Sequence, residues 1–345
     1  MKSKSGGLTL NKKTSCAAVL TTINEPNVAM NKLLSHATQV NAPVIVVGDT
    51  KTPDTWAGLG YEFLSIESQL LSPTSFGHSL PTKHYARKNL GYLRARDLGV
   101  EWIYETDDDN VPIESPFEAR NLNLKADIFQ TETKWLNVYE VFGYTSASEL
   151  PPIIWPRGYD LRSLKLSATF SETKTLTSPI QQGLADGDPD VDAIYRLVLG
   201  NFVKFNSRTP VALGRNQICP INSQTTWWHS SVYQLMYLPS TCTFRLTDIL
   251  RGFVAWRILQ ERNETISFHA PLVRQDRNEH NLLGDFSDET ELFLHSENLI
   301  LDLLKLNLQG RHLSDQLISC YKVLEKRGVI SSSEFKTLEI WNSFF

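Results

Sequence analysis

Cysteine is scarce: Cys16, Cys219, Cys242 and Cys320 are the only four in 345 residues. They lie far apart, with no Cys-x-x-Cys and no histidine pair at finger spacing. That argues against a structural zinc site and a disulfide framework, and fits reduced thiols in a cytoplasmic protein. Long apolar runs are missing too. No stretch approaches the ~18 consecutive apolar residues of a membrane helix, so no transmembrane segment is expected. Met1 to Asn11 lacks the apolar centre of a signal peptide, and residues 1–13 read as a disordered lead-in. Neither sign of charge dominates. A net charge of −4 and a pI near 6.1 give no general attraction to nucleic acid or anionic membrane, so a polyanion must be met by a local cluster or a metal.

What is present is a 41% hydrophobic chain, enough for the core of one large domain or two ordinary ones. Its first third alternates strands with helices. Cys16 to Ile23 reads as a strand and Val28 to Val40 as a helix. Pro43 to Val47 is a continuous apolar strand stopped by Gly48-Asp49, the pattern of a parallel strand covered on both faces. A third strand covers Tyr61 to Ile66. Helical spacing then runs from Pro81 to Leu98, with Ala86, Leu90 and Leu93 on one face and Lys83, Arg87, Lys88, Arg94 and Arg96 as its cations. Val100 to Tyr104 is a further strand, and it delivers Glu105-Thr106-Asp107-Asp108-Asp109-Asn110 to its carboxyl end. Adjacent carboxylates repel, and a fold tolerates them most easily where a cation neutralises them. Hard oxygen donors at a strand end suit Mg2+ or Mn2+ carrying a diphosphate; a solvated acidic turn is the alternative. Open α/β sheets bind ligands beyond the carboxyl ends of their strands, which makes Asp49 a ligand candidate as well as a turn cap.

Later segments add polar candidates. Arg157 and Arg162 flank a glycine turn after Ile153-Ile154-Trp155-Pro156 and can grip a phosphate or sugar acid, or pair with surface carboxylates. The acidic run Asp186 to Asp192 reads as helix capping, with Asp188 at the N-cap and Pro189 in the first turn. Calcium-loop geometry is excluded there and at Asp107, because Val191 and Pro112 stand where the loop needs glycine. Cys219 to Tyr237, with Trp227, Trp228 and several amides, has the composition of a sugar-binding run as well as of a core. Phe244 to Gly252 opens a helix containing Asp248, and Ile266 to His269 is a short strand ending in a histidine. From Glu289 the chain is helical, a tail that packs on the main body or mediates homo-oligomer formation.

The strand, the helix with Ala86-Arg87-Lys88-Asn89-Leu90-Gly91, the next strand and Asp107-Asp108-Asp109 together resemble the first half of a GT-A glycosyltransferase. Glu-Thr-Asp-Asp-Asp-Asn, Trp155-Pro156-Arg157-Gly158-Tyr159 and the segment Phe244 to Gly252 resemble the STELLO family of predicted glycosyltransferases. More distantly they are similar to the reversibly glycosylated polypeptides, nucleotide-arabinose mutases. The resemblance implies an α/β GT-A fold, a Rossmann-like mixed sheet flanked by helices, with an α-helical tail. It divides the chain into a glycosyltransferase domain, 14–287, made of a nucleotide-binding half, 14–111, and an acceptor half, 112–287, followed by a helical extension, 288–345. It also implies Thr22, Asn24, Asp49, Arg87, Asn89 and Asp107 on the nucleotide, and Asp107, Asp109 and His269 on Mn2+ or Mg2+. The chemistry implied is sugar transfer from a nucleotide-diphosphate donor, UDP-sugar favoured, to a carbohydrate or glycoconjugate hydroxyl, with Asp248 as base. A mutase using Arg157 or Arg162 beside the sugar, or a non-catalytic nucleotide-sugar-binding module, are the alternatives.

Overall fold

The computed structural model describes residues 15–71, 75–146, 153–165, 167–200, 202–276 and 281–345. The expected lead-in lies outside them, as do residues 277–280 of the polar loop after Arg274.

Strand β1 (Cys16–Thr21) is apolar and buried along nearly its whole length. Asn27 then caps helix α1 (Val28–Gln39), its side-chain oxygen accepting from the Met30 N–H at 3.0 Å. Strands β2 (Val44–Val47) and β3 (Glu62–Leu64), the short helix α2 (Ile66–Gln69), helix α3 (Lys88–Asp97) and strand β4 (Trp102–Thr106) complete the first half. The strands lie parallel in the order β3-β2-β1-β4. Their β-branched runs are buried because helices cover them. Gly91 lets α3 lie directly on the sheet: a Cβ there would sit 2.5 Å from Val19 Cγ1 and 2.7 Å from Val47 Cγ2. Helix α3 starts later than the sequence pattern predicts. Lys83 has a left-handed φ of 57° and His84 is extended, so the chain turns first and enters through a single 3-10 turn at Tyr85–Arg87.

The second half begins with β5 (Asn110–Pro112), β6 (Asn123–Gln130), helix α4 (Val138–Phe142), β7 (Tyr144–Ser146), β8 (Thr169–Thr177) and β9 (Ile180–Gly187). Helix α5 (Ala193–Val198), β10 (Val203–Phe205), β11 (Val211–Leu213), β12 (Thr225–His229), helix α6 (Thr247–Glu261) and β13 (Ile266–Gln275) follow. Strand β12 pairs antiparallel with β4, and the sheet continues through β9, β13, β11, β6 and β8. The expected α/β architecture, a mixed sheet flanked by helices, is therefore the one found. One open local reading is resolved and two change. Trp227 and Trp228 are fully buried on β12 and belong to the core. Strand β13 continues past an irregularity between His269 and Val273 and ends at Gln275. Helix α5 is capped by Asp192, which accepts from the Tyr195 N–H at 2.8 Å, rather than by Asp188.

Helices α7 (Leu282–Leu304), α8 (Leu313–Lys326) and α9 (Glu334–Asn342) close the chain. Leu292, Leu299, Leu317, Leu324 and Trp341 join the same apolar cluster as Val19, Ile103 and Phe253. Burial of those aliphatic side chains, each contributing about 1.5–3 kcal/mol, holds the helices against the sheet body. Two buried carboxylates also reach inward from them. Glu334 accepts from the backbone N–H groups of Ser240 and Thr241 at 2.9 and 2.8 Å, and Glu289 accepts from the Ala193 N–H at 2.7 Å. Among the described residues no helix is long and apolar enough to cross a membrane.

Candidate active site

A cavity of about 570 Å3 opens beyond the carboxyl ends of β1, β2 and β4. One wall is the acidic turn after β4, and the four carboxylates at this strand end take separate directions. Glu105 points into the core, fully buried, and pairs with Arg251 of α6 at 2.7 Å. Trp228 Nε1 donates to it at 2.8 Å, and the Tyr92 hydroxyl donates as well. Asp107 faces the cavity with its side chain 30% exposed, accepting from the Tyr85 hydroxyl at 2.6 Å and from Lys88 Nζ at 3.3 Å. Burial pushes its carboxyl up to about 6; Lys88 opposes the shift and Asp109 adds to it. Asp108 turns back to the loop after β1, accepting from the Thr22 hydroxyl and from Asn24 Nδ2 at 2.8 Å. Asp109 accepts from Gln275 Nε2 at 3.0 Å, which ties the turn to the end of β13.

The opposite wall is built around Arg157. Its guanidinium lies between Asp190, with Nε and Nη2 at 2.9 and 2.8 Å from the carboxylate, and Asp248, with Nη1 and Nη2 at 3.0 and 2.8 Å. The Ser223 N–H donates to Asp248 at 3.2 Å. Gly158 allows this approach. Its φ is +83°, and a Cβ there would meet Ile249 Cγ2 at 2.5 Å, so a side chain would push the arginine loop off α6. Arg157 also donates to the carbonyl of Arg245, and Arg245 pairs with Glu289 of α7 at 2.6 Å. Charge on this wall is thus shared between the sheet body and the closing helices.

The structure brings together Thr22, Asn24, Asp49, Asp107, Asp109, Arg157 and Asp248, all of which line the cavity. Asp49 accepts from the Thr50 N–H at 2.6 Å and the His84 N–H at 3.2 Å. The other expected site residues lie elsewhere. Arg87 is fully buried and donates to Gln69 Oε1 at 2.7 Å and to the Leu80 carbonyl at 3.1 Å, while Asn89 donates to the Leu238 carbonyl at 2.9 Å. Arg162 is a surface residue, 70% exposed, paired with Asp160. His269 does not reach the acidic turn. The register sets Phe268, Gln182, Thr226 and Glu105 in one row across β13, β9, β12 and β4, about three strand spacings or ~14 Å wide. His269 lies next to Ser267, 3.3 Å away, and burial together with Arg120 pushes its imidazole down to about 3. Among the described residues no group of three or more His, Cys, Asp or Glu side chains is arranged to hold a metal.

Sequence reasoning missed Lys88, Tyr85, Ser223, Asp190, Arg245, Phe244 and Gln275. Lys88 was legible as a cation but not as the one that faces inward. Asp190 read as a helix cap, and its position just after β9 was the available signal.

Parallel strands that bring Asp49, Asp107 and Asp109 to one cavity, closed opposite by a carboxylate–arginine wall, define an α/β protein with a ligand crevice beyond the carboxyl ends of its strands. No protein-family model matches the chain. It is 27% identical over 320 residues to each of two Arabidopsis thaliana proteins, "Probable glycosyltransferase STELLO2" and "Probable glycosyltransferase STELLO1". That span covers 86% of this chain and 40% of the length of each of the two relatives. Among solved structures it is distantly similar to glucosyl-3-phosphoglycerate synthase from Mycobacterium tuberculosis in complex with Mn2+, UDP-glucose and phosphoglyceric acid. The TM-score is 0.43 at 10% identity, covering 87% of this chain and 83% of that one. The UDP complex of the same enzyme gives 0.41 at 11% identity, covering 90% of each.

Proposed function

We propose that the cavity transfers a sugar from a nucleotide-diphosphate donor, UDP-sugar favoured, to an acceptor hydroxyl with the help of Mn2+ or Mg2+. The observation that carries this reading is that Asp107 and Asp109 face the same cavity as Arg157 and Asp248. On this reading residues 14–111 form the nucleotide-binding half and 112–287 the acceptor half, with 288–345 as the helical extension.

Thr22, Asn24 and Asp49 contact the nucleoside, and the exposed Lys51 and Lys83 at the cavity edge meet the diphosphate charge. Asp107 and Asp109 fit a divalent cation that keeps waters and phosphate oxygens as its other ligands: two hard carboxylates from one turn are the donor set such a cation takes. The pressure on Asp107 to stay protonated is what a cation would relieve. Bound there, the metal would supply Lewis-acid stabilisation of the leaving diphosphate. His269 stands apart from this set.

Asp248 takes the proton of the acceptor hydroxyl as its oxygen bonds to the anomeric carbon and the bond from that carbon to the diphosphate breaks. Its oxygens already accept from Arg157 and from the Ser223 and Ile249 N–H groups, which fills the roughly four acceptor positions of a carboxylate, so the acceptor hydroxyl must displace the longest contact, that of the rotatable Ser223 hydroxyl at 3.3 Å. Arg157 fixes the plane of that carboxylate, and Asp190 fixes Arg157. The test is a thermal-shift series with UDP and other nucleoside diphosphates, with and without Mn2+. Binding to the folded state raises the melting temperature by linkage, and no shift with any nucleotide would sink the reading. The place of Arg157 beside the cavity also supports the mutase reading, in which it holds the sugar during repositioning. Formation of an isomerised donor with no acceptor present would favour that activity over transfer.

A further inference from the structure

Phe244 is half exposed, 50%, yet it stands inside the cavity rather than on a convex surface. Its ring is seated edge-on against Tyr85, centroids 5.2 Å apart at 86°. Tyr85 is itself pinned by Asp107 at 2.6 Å and by Ser223 at 2.5 Å. The phenyl face is therefore held by groups that also fix the two carboxylate walls. The chain runs on from Phe244 into Arg245 and Asp248, and Asp190 and Asn222 line the same cavity. Scattered exposed apolar residues need no explanation. An aromatic face fixed in a concavity and rimmed by hydrogen-bonding side chains does, because it leaves apolar area in water beside groups that recognise hydroxyls.

Resting on the transferase reading above, we propose that Phe244 is the stacking platform of the acceptor subsite, and that the acceptor is a pyranose ring presenting a face of C–H groups to the phenyl ring. A sugar has such a face and a rim of hydroxyls. Phe244 covers the face, while the rim meets Asp190, Asp248 and Asn222. A flat lipid chain would bring no hydroxyl to those side chains, and a phosphorylated acceptor would be repelled by the carboxylates. The aromatic run Trp227-Trp228 that the sequence offered for this role is sealed in the core, so Phe244 takes it over.

The probes are a panel of methyl glycopyranosides, followed by saturation-transfer NMR on the full chain with and without saturating UDP and Mn2+. At least one glycoside is expected to receive transfer at its C–H face. Phe244→Ala should weaken that glycoside about tenfold, Phe244→Trp should retain it, and UDP affinity should be unchanged in both. Melting curves of both variants establish that they fold. Glycoside binding that is equal in wild type and Phe244→Ala overturns the assignment, as does absence of binding to every glycoside. Loss of UDP affinity in Phe244→Ala overturns it in another way, making the ring a base platform. Failure of the wild type to bind UDP, with glycoside binding still dependent on Phe244, would sink the nucleotide reading and leave the sugar platform standing.

Discussion

Arg251 and Arg157 are both buried against carboxylates, and only Arg157 borders the cavity. Arg251 meets one glutamate, Glu105, one cation to one anion, with both partners fully buried and Tyr92 and Trp228 completing the carboxylate's hydrogen bonds. Arg157 meets two aspartates, Asp190 and Asp248, each side chain retaining 6 or 7% exposure at the cavity edge. The first arrangement is neutral and closed, so nothing remains for it to bind. The second carries an excess carboxylate at the edge of solvent, and surplus charge of that kind is stable only where water or a ligand can share it. Two similar ion pairs thus divide into a fastener and a working group by stoichiometry and access.

The largest expected effect lies on the closed side. Glu105→Ala leaves Arg251 buried without its counter-ion and should cost about 3–5 kcal/mol of stability, read from urea unfolding. A loss below about 1 kcal/mol would show that water enters this pair, and the contrast with Arg157 would fall. Next is Asp248→Asn, which removes the proposed proton acceptor but keeps its shape. Transfer should drop at least about a hundredfold with UDP affinity nearly intact, measured by donor turnover beside a binding titration. Full retained turnover would make Asp248 a fastener as well.

Glu289→Gln is expected to be intermediate. It takes the charge from Arg245 while leaving a hydrogen-bonding group, and should lower stability by about 2 kcal/mol. The smallest effect belongs to His269. Its imidazole titrates near 3 in the folded chain, below the ordinary value of 6.5, so the unfolded chain takes up the proton first as pH falls. Its contribution to stability is therefore complete above about pH 6.5 and is lost progressively toward pH 3. His269→Gln should flatten the fall in unfolding free energy between pH 7 and 5 by about 1 kcal/mol, a figure reduced for its partial solvent contact. The same variant should bind UDP with Mn2+ as the wild type does, and a large loss would return His269 to the metal.

Much of the first half was legible because its strands are continuous β-branched runs and α1 carries a side-chain cap. The acidic turn was legible for the same reason, since a strand must deliver its last residues somewhere. The arginines were not. Arg87 and Lys88 are adjacent in sequence, yet the 3-10 entry to α3 turns one toward Gln69 and the other toward Asp107, and helical spacing counted from Pro81 cannot see that rotation. His269 misled because the strand from Ile266 reads as ending at the histidine, where the resemblance implies a metal ligand. The backbone of β13 instead re-registers on β9 and carries on to Gln275. The wall around Arg157 was invisible as a unit, its members coming from the loop after β9, from α6 and from α7 over more than a hundred positions.

Glu289 and Glu334 give the closing helices a stake in that wall, because they hold Arg245 and the backbone at Ser240 and Thr241 from behind. A minimal fragment cut at the end of β13 would retain every residue assigned to donor and acceptor, yet lose the struts of the surface they stand on. The pocket and the three terminal helices are therefore mechanically coupled. Recombination that shuffles one without the other should yield a sheet that folds around a slack mouth.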